Sequence, residues 1–148
     1  YSTYGSESIF GGAAVAGMSL KPSEYWQRNC YIGASFLRPS EADMPAEIGL
    51  DNIMWGSDYP HIEGSHPFTK EHLKLTFGGM PEEDVTKLLT TNAARLYGFD
   101  LEALAPLAER FCPTKAEVAA GIDYAAIPEE ARGCPAMNPL NQREAVDA

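Results

Sequence analysis

The sequence predicts an α/β chain built on parallel strand pairing, with helices laid against a short buried sheet. Two apolar runs, residues 30–37 and 53–55, have the length and residue types of strands buried on both faces. A helical stretch from Ser40 to about Gly49 separates them, and strand, helix, strand in that order is a βαβ unit that implies parallel pairing. The second run also stops abruptly in Gly56-Ser57-Asp58-Tyr59-Pro60-His61, which puts polar chemistry at the carboxyl end of a strand. Parallel α/β architectures carry their sites there.

Taken in order, residues 1–20 form an ill-defined lead-in: a polar start, a break at Gly11-Gly12 and a short apolar stretch. Lacking an initiator methionine, the chain reads as a fragment or processed product. Residues 23–28 read as a short helix, with Glu24 in the first turn where the helix dipole favours an acid. In the strand that follows, Tyr31, Ile32 and Phe36 supply β-type side chains, while Gly33, Ala34 and Ser35 permit tight packing. Cys30 is expected to be a small buried apolar residue beside it. The strand ends at Arg38-Pro39. Arg38 would share the carboxyl-end rim with Asp58 and hold a substrate carboxylate in a bidentate pair, or else be a plain surface arginine.

Ser40 is a candidate cap for the next helix, with Glu41 and Asp43 in its first turn. After the second strand and a loop over 59–68, Thr69 is expected to cap a helix over 70–77 that Gly78-Gly79 ends. Pro81 with Glu82, Glu83 and Asp84 suits the start of another, whose apolar stripe is Val85, Leu88 and Leu89. Asn92 is expected to cap a last short helix closed by Gly98, with Arg95 and Tyr97 in packing roles. Residues 101–111 are amphipathic and broken by Pro106. Thr114 and Glu117 have capping-box spacing, and Pro128 could start one more turn. From Gly133 the composition suggests an extended tail lying on a partner or left mobile. Residues 101–148 are assigned no chemistry.

Composition narrows the classes. The chain has 148 residues, well short of the roughly 250 of a complete eight-stranded α/β barrel. A parallel pair has edges that need neighbours, so partner strands are expected in a missing N-terminal segment or a companion chain. A formal net charge of −10 argues against nucleic-acid and anionic-membrane partners. No apolar run is long enough to span a bilayer, and no basic stretch precedes residues 9–18 as a signal peptide requires. Three cysteines, Cys30, Cys112 and Cys134, without a C-x-x-C pair fit reduced thiols and a cytoplasmic location.

Three motifs carry a resemblance. Lys21-Pro22-Ser23-Glu24-Tyr25-Trp26-Gln27-Arg28-Asn29 leads into Cys30-Tyr31-Ile32. Asp51-Asn52-Ile53-Met54-Trp55 runs into the GSDYPH segment, and Asn92-Ala93-Ala94-Arg95-Leu96-Tyr97-Gly98 follows about thirty residues on. In order and spacing these resemble the C-terminal part of the amidohydrolase-related metal-dependent hydrolases, including the aminocarboxymuconate-semialdehyde-decarboxylase-like branch. The resemblance implies that residues 21–100 are the last two strands of a (β/α)8 TIM-type barrel with their helices, followed by a helical and extended tail. It implies hydrolysis or non-oxidative decarboxylation of a small carboxylated or cyclic substrate. Asp58 would be the metal-binding and proton-transfer residue, and His61 would orient it or touch substrate. The cofactor would be a divalent metal, zinc or else manganese.

That family also recruits a His-x-His pair and further histidines from earlier strands. Here the only histidines are His61, His66 and His72, all after the second strand. A metal is therefore expected only if another segment supplies the missing ligands. A local centre from the three histidines is the weaker alternative, since His66 precedes a proline and His72 falls in a helix. Assembly into a homo-oligomer is expected. The competing reading is a non-catalytic barrel-derived domain for assembly or binding.

Overall fold

Ile32–Ser35 (β1) and Ile53–Gly56 (β2) pair in parallel in the computed structural model, which describes residues 17–137. Ile32 lies opposite Ile53, Gly33 opposite Met54, Ala34 opposite Trp55 and Ser35 opposite Gly56, so the two carboxyl ends are level. Ile53 and Met54 are buried, as expected of a strand covered on both faces, but β1 departs from that expectation: Ile32 and Ala34 are half-buried and Gly33 and Ser35 exposed, so only one face of it is covered.

The described residues fall into two units that divide between Tyr31 and Ile32. The first holds α1 (Pro22–Asn29), with proline in the first turn, where its missing N–H costs nothing. Glu24 accepts the Lys21 N–H at 2.7 Å, and none of the helix is buried. Cys30 is exposed, contrary to expectation, because it closes this helix through Trp26 O and pairing begins only at Ile32.

In the second unit β1 leads through a 3-10 turn, Pro39–Glu41, to α2 (Met44–Ile48) and a second such turn, Leu50–Asn52. Ser40 is not a cap. Glu41 reaches back to accept the Arg38 N–H at 3.0 Å, and that closes the turn before α2 begins. After β2 come α3 (Thr69–Phe77) and α4 (Glu82–Thr86), which runs through a π-helical turn, Lys87–Thr91, into α5 (Asn92–Tyr97). Thr69 is the first helical residue rather than the cap, and its hydroxyl turns to Ser65 Oγ at 3.1 Å. Asn92 likewise sits within a continuous helix. Gly98, at φ 71°, ends that helix as expected.

The core gathers Leu37, Ile53, Leu73, Phe77, Leu88 and Val118, with Val85 and Leu89 packed against it. Most of these lie on the apolar faces of β2, α3 and the α4–α5 run, while Leu37 comes from just past β1 and Val118 from the helix over 115–119. Gly78 permits a close approach behind them: a Cβ there would lie 2.5 Å from Gly121 Cα. α6 (Leu101–Phe111) carries Pro106 inside it without a break, and no residue of it is buried. Asp100 accepts the Glu102 and Ala103 N–H groups at 3.0 Å, and the carbonyl that Pro106 leaves unmatched is open to hydration on so exposed a helix.

α7 (Lys115–Ala119) has the expected capping box, with Thr114 and Glu117 each serving the other's backbone. This contact holds the Glu117 carboxyl below its usual range. The last segment departs from the extended tail expected from Gly133. α8 (Glu129–Arg132) leads into a 3-10 turn, Pro135–Met137, and Ile127, Ala131 and Met137 form a second buried cluster with Phe68 and Leu75 around it. Small residues let the turn pack, Ala131 and Ala136 being fully buried. Residues 1–16 of the lead-in and 138–148 of the tail lie outside the described residues. No described helix is long and apolar enough to cross a membrane.

Candidate functional site

The two strands end alike at the same edge. Just past β1, Phe36 takes φ 39°, and two residues past β2, Asp58 takes φ 59°. Left-handed backbone costs a residue with a Cβ about 1 kcal/mol or more, least for Asp and Asn. Such outliers concentrate at functional edges of folds. Here one of them aims an acid.

Asp58 is held by a compact loop. Ser57 O accepts the Ser65 N–H at 2.9 Å, which closes the loop at its base. Inside it the His61 N–H donates to Asp58 O at 2.8 Å, and the Gly64 N–H donates to His61 O at 3.1 Å. Ser57 Oγ accepts the Tyr59 N–H at 3.3 Å. Gly64 has no room for a side chain, since a Cβ would lie 2.6 Å from Ser57 O and 2.9 Å from Asp58 O. Its carbonyl accepts the Cys134 thiol at 2.9 Å.

This folding brings two of the expected site residues together. His61 Nδ1 lies 3.2 Å from Asp58 Oδ2 and 3.9 Å from Glu63 Oε2. The Asp58 side chain is 31% exposed and His61 59%, so the acid is the more sheltered partner and both reach solvent. An imidazole at that distance can orient the carboxylate and take up or return a proton. Arg38 follows β1 at the same edge, but its guanidinium lies over the Phe36 ring, 5.8 Å from the centroid. Among the described residues no ion pair links it to Asp58.

The other histidines do not converge on this pair. His66 meets the edge of the Tyr59 ring at 4.9 Å. His72 is fully buried on α3, 5.9 Å from the Trp55 ring, and burial lowers its pKa to about 4 despite the opposing contact with Leu37 O. Among the described residues no group of three or more His, Cys, Asp or Glu is placed to hold a metal ion. Asp58 and His61 offer two donors, where a catalytic zinc centre takes three from protein. These residues alone therefore do not fit a resident metal.

Sequence reasoning missed Gly64, Ser65 and Cys134. The Gly64-Ser65 pair sits near the end of the loop as a plain turn signal, while Cys134 is seventy residues from the carbonyl it contacts. A cleft of about 810 Å³ lies elsewhere, walled by Trp55, Leu73, Met80, Val85, Leu89 and Phe111 among others, and Asp58 takes no part in it.

The model of the family described as Amidohydrolase matches residues 12–99, more than half of the chain, and the matched span includes both strands, Asp58 and the α4–α5 run. No curated protein and no solved structure matches. The chain belongs to the Amidohydrolase family.

Proposed function

We propose that this chain supplies the acid-bearing, C-terminal part of an amidohydrolase-type active site, acting on a small carboxylated or cyclic substrate by hydrolysis or non-oxidative decarboxylation. The observation that carries the reading is Asp58, set in left-handed backbone at the carboxyl end of a parallel strand with His61 at 3.2 Å. In hydrolysis, Asp58 takes the proton from a water as its oxygen bonds to the substrate carbonyl. The same proton then passes to the leaving group as the scissile bond breaks. His61 keeps the carboxylate turned toward the water, and Arg38, swung off Phe36, pairs with a substrate carboxylate.

The two strands take the place of the last two in a (β/α)8 barrel, whose other strands come from an N-terminal segment or a companion chain. The assembled enzyme works in the cytoplasm, as a homo-oligomer. Where such a segment also brings the remaining ligands, a divalent metal, zinc or manganese, would be held with Asp58 as this chain's contribution.

The test is metal content per chain by elemental mass spectrometry for wild type and Asp58→Asn, with intact mass on the same samples and a substrate panel. Where the intact mass shows the further segment present, near-stoichiometric zinc or manganese that falls in Asp58→Asn is expected, together with a loss of turnover of about 10²-fold or more. Material in which that segment is present but which holds no metal and shows no turnover would sink the reading and favour a barrel-derived assembly domain.

A further inference from the structure

The segment 122–137 lies wholly outside the family match, which ends at residue 99, yet it grips the loop that carries Asp58 at two points. At the first, the Cys134 thiol donates to Gly64 O at 2.9 Å. At the second, Ile127, Ala131 and Met137 pack against Phe68, three residues past Ser65, and against Leu75 of α3. Cys134 is itself pinned, its N–H donating to Ala131 O at 3.0 Å and its carbonyl accepting the Met137 N–H at 2.9 Å. The thiol is thus presented by a rigid turn.

The loop transmits this grip. Gly64 sits so close to the Ser57–Asp58 peptide that a single methyl would strike Ser57 O and Asp58 O. The Gly64 N–H donates to His61 O at 3.1 Å and the His61 N–H to Asp58 O at 2.8 Å, so displacing Gly64 pulls on the backbone of Asp58. The next residue, Ser65, is fully buried and closes the loop onto Ser57 O at 2.9 Å. Thiol, Gly64, His61 and the backbone of the acid are thus joined by successive hydrogen bonds.

We propose that the segment 122–137 is a brace for the Asp58 loop and that Cys134 is its positioning residue, holding Gly64, and through it Asp58, in the conformation the site requires. The role of the loop rests on the reading of Asp58 given above, but the brace itself is testable without catalysis.

The experiment is amide hydrogen exchange of the full chain, in the absence of metal and substrate, for wild type, Cys134→Ala and Cys134→Ser. Losing one net hydrogen bond opens the loop about fivefold more often. The Ser65 amide is therefore expected to exchange about fivefold faster in Cys134→Ala and to return most of the way in Cys134→Ser, whose hydroxyl restores a donor. Amides of α3 and the α4–α5 run should not move. Unchanged Ser65 exchange in the alanine variant overturns the proposal. So does a serine variant that behaves like alanine, or an acceleration shared by every core amide. If Ser65 responds as expected while Asp58→Asn leaves activity intact, the brace stands and the reading of Asp58 falls.

Discussion

The His72 ring sits where a charge cannot be hydrated. It is fully buried on α3, and Thr76 Oγ1 lies 3.4 Å from its Nε2. That hydroxyl donates to Leu37 O at 3.2 Å, so Nε2 carries the ring proton and Nδ1 remains a buried acceptor without a partner among the described residues. Trp55 Nε1, on the neighbouring ring, is a buried donor equally without one among the described residues. Desolvation lowers the imidazole from 6.5 to about 4 in the fold. Unfolding below pH 6.5 therefore takes up a proton. Stability is full above that value and declines as the pH falls to about 4, by roughly 3 kcal/mol in total. Chemical denaturation across this range should show that slope in wild type and lose about one proton of it in His72→Leu. Equal slopes in the two proteins would remove His72 as the cause. The residue reads in sequence as a possible ligand, and only its neighbours show it to be a core histidine.

Among the elements, the long α4–α5 run does more than cover a strand. Asn92 donates both hydrogens of its side-chain amide, to Leu50 O and to Ile53 O at 2.8 Å each, which satisfies carbonyls where the chain turns into β2. Arg95 adds a bond to Asp51 O at 2.7 Å, in keeping with a packing role. Lys87 joins the same corner through Asp51 at 3.3 Å, which raises its ammonium above the ordinary range. Asn92→Ala leaves one buried and one half-buried carbonyl unmatched and should cost about 2–3 kcal/mol in denaturant unfolding. α6 is the contrasting element. Leu104 and Leu107 are exposed on a helix with no buried residue, so Leu104→Glu should change stability by no more than about 0.5 kcal/mol. A large loss there would mean that its apolar stripe packs against something.

For the whole chain, stability should be distributed unevenly. Buried apolar contact concentrates where β2, α3 and the α4–α5 run meet, with Phe77 and Leu88 at the centre. Local opening follows the density of such contacts. Peptides covering 72–77 and 88–92 should therefore be the slowest to exchange amide hydrogens, and 22–29 and 101–111, neither with a buried residue, the fastest among the helices. The opposite order would contradict this core. The acid edge belongs to the protected region on its strand side, and its loop is tied to the segment beyond residue 120.

The amino-acid sequence by itself determined the local alphabet of this protein. Apolar runs, proline and glycine positions and the GSDYPH motif sufficed for two parallel strands, for most of the helices and for an acid with a histidine three residues on. These signals are short-range, and physics reads them within a few residues. The same range explains the misses. Ser40, Thr69 and Asn92 all have cap chemistry, but whether a side chain caps or does something else depends on which backbone groups lie near it in space. Asn92 went to carbonyls about forty residues away, one buried and one half-buried, that turn toward it only in the packed chain. Only tertiary structure decided that His72 is core, that Asp58 takes a left-handed backbone beside His61, and that Ala136 and Met137 bury instead of trailing. Burial and strain belong to the packed chain, and no window of sequence contains them.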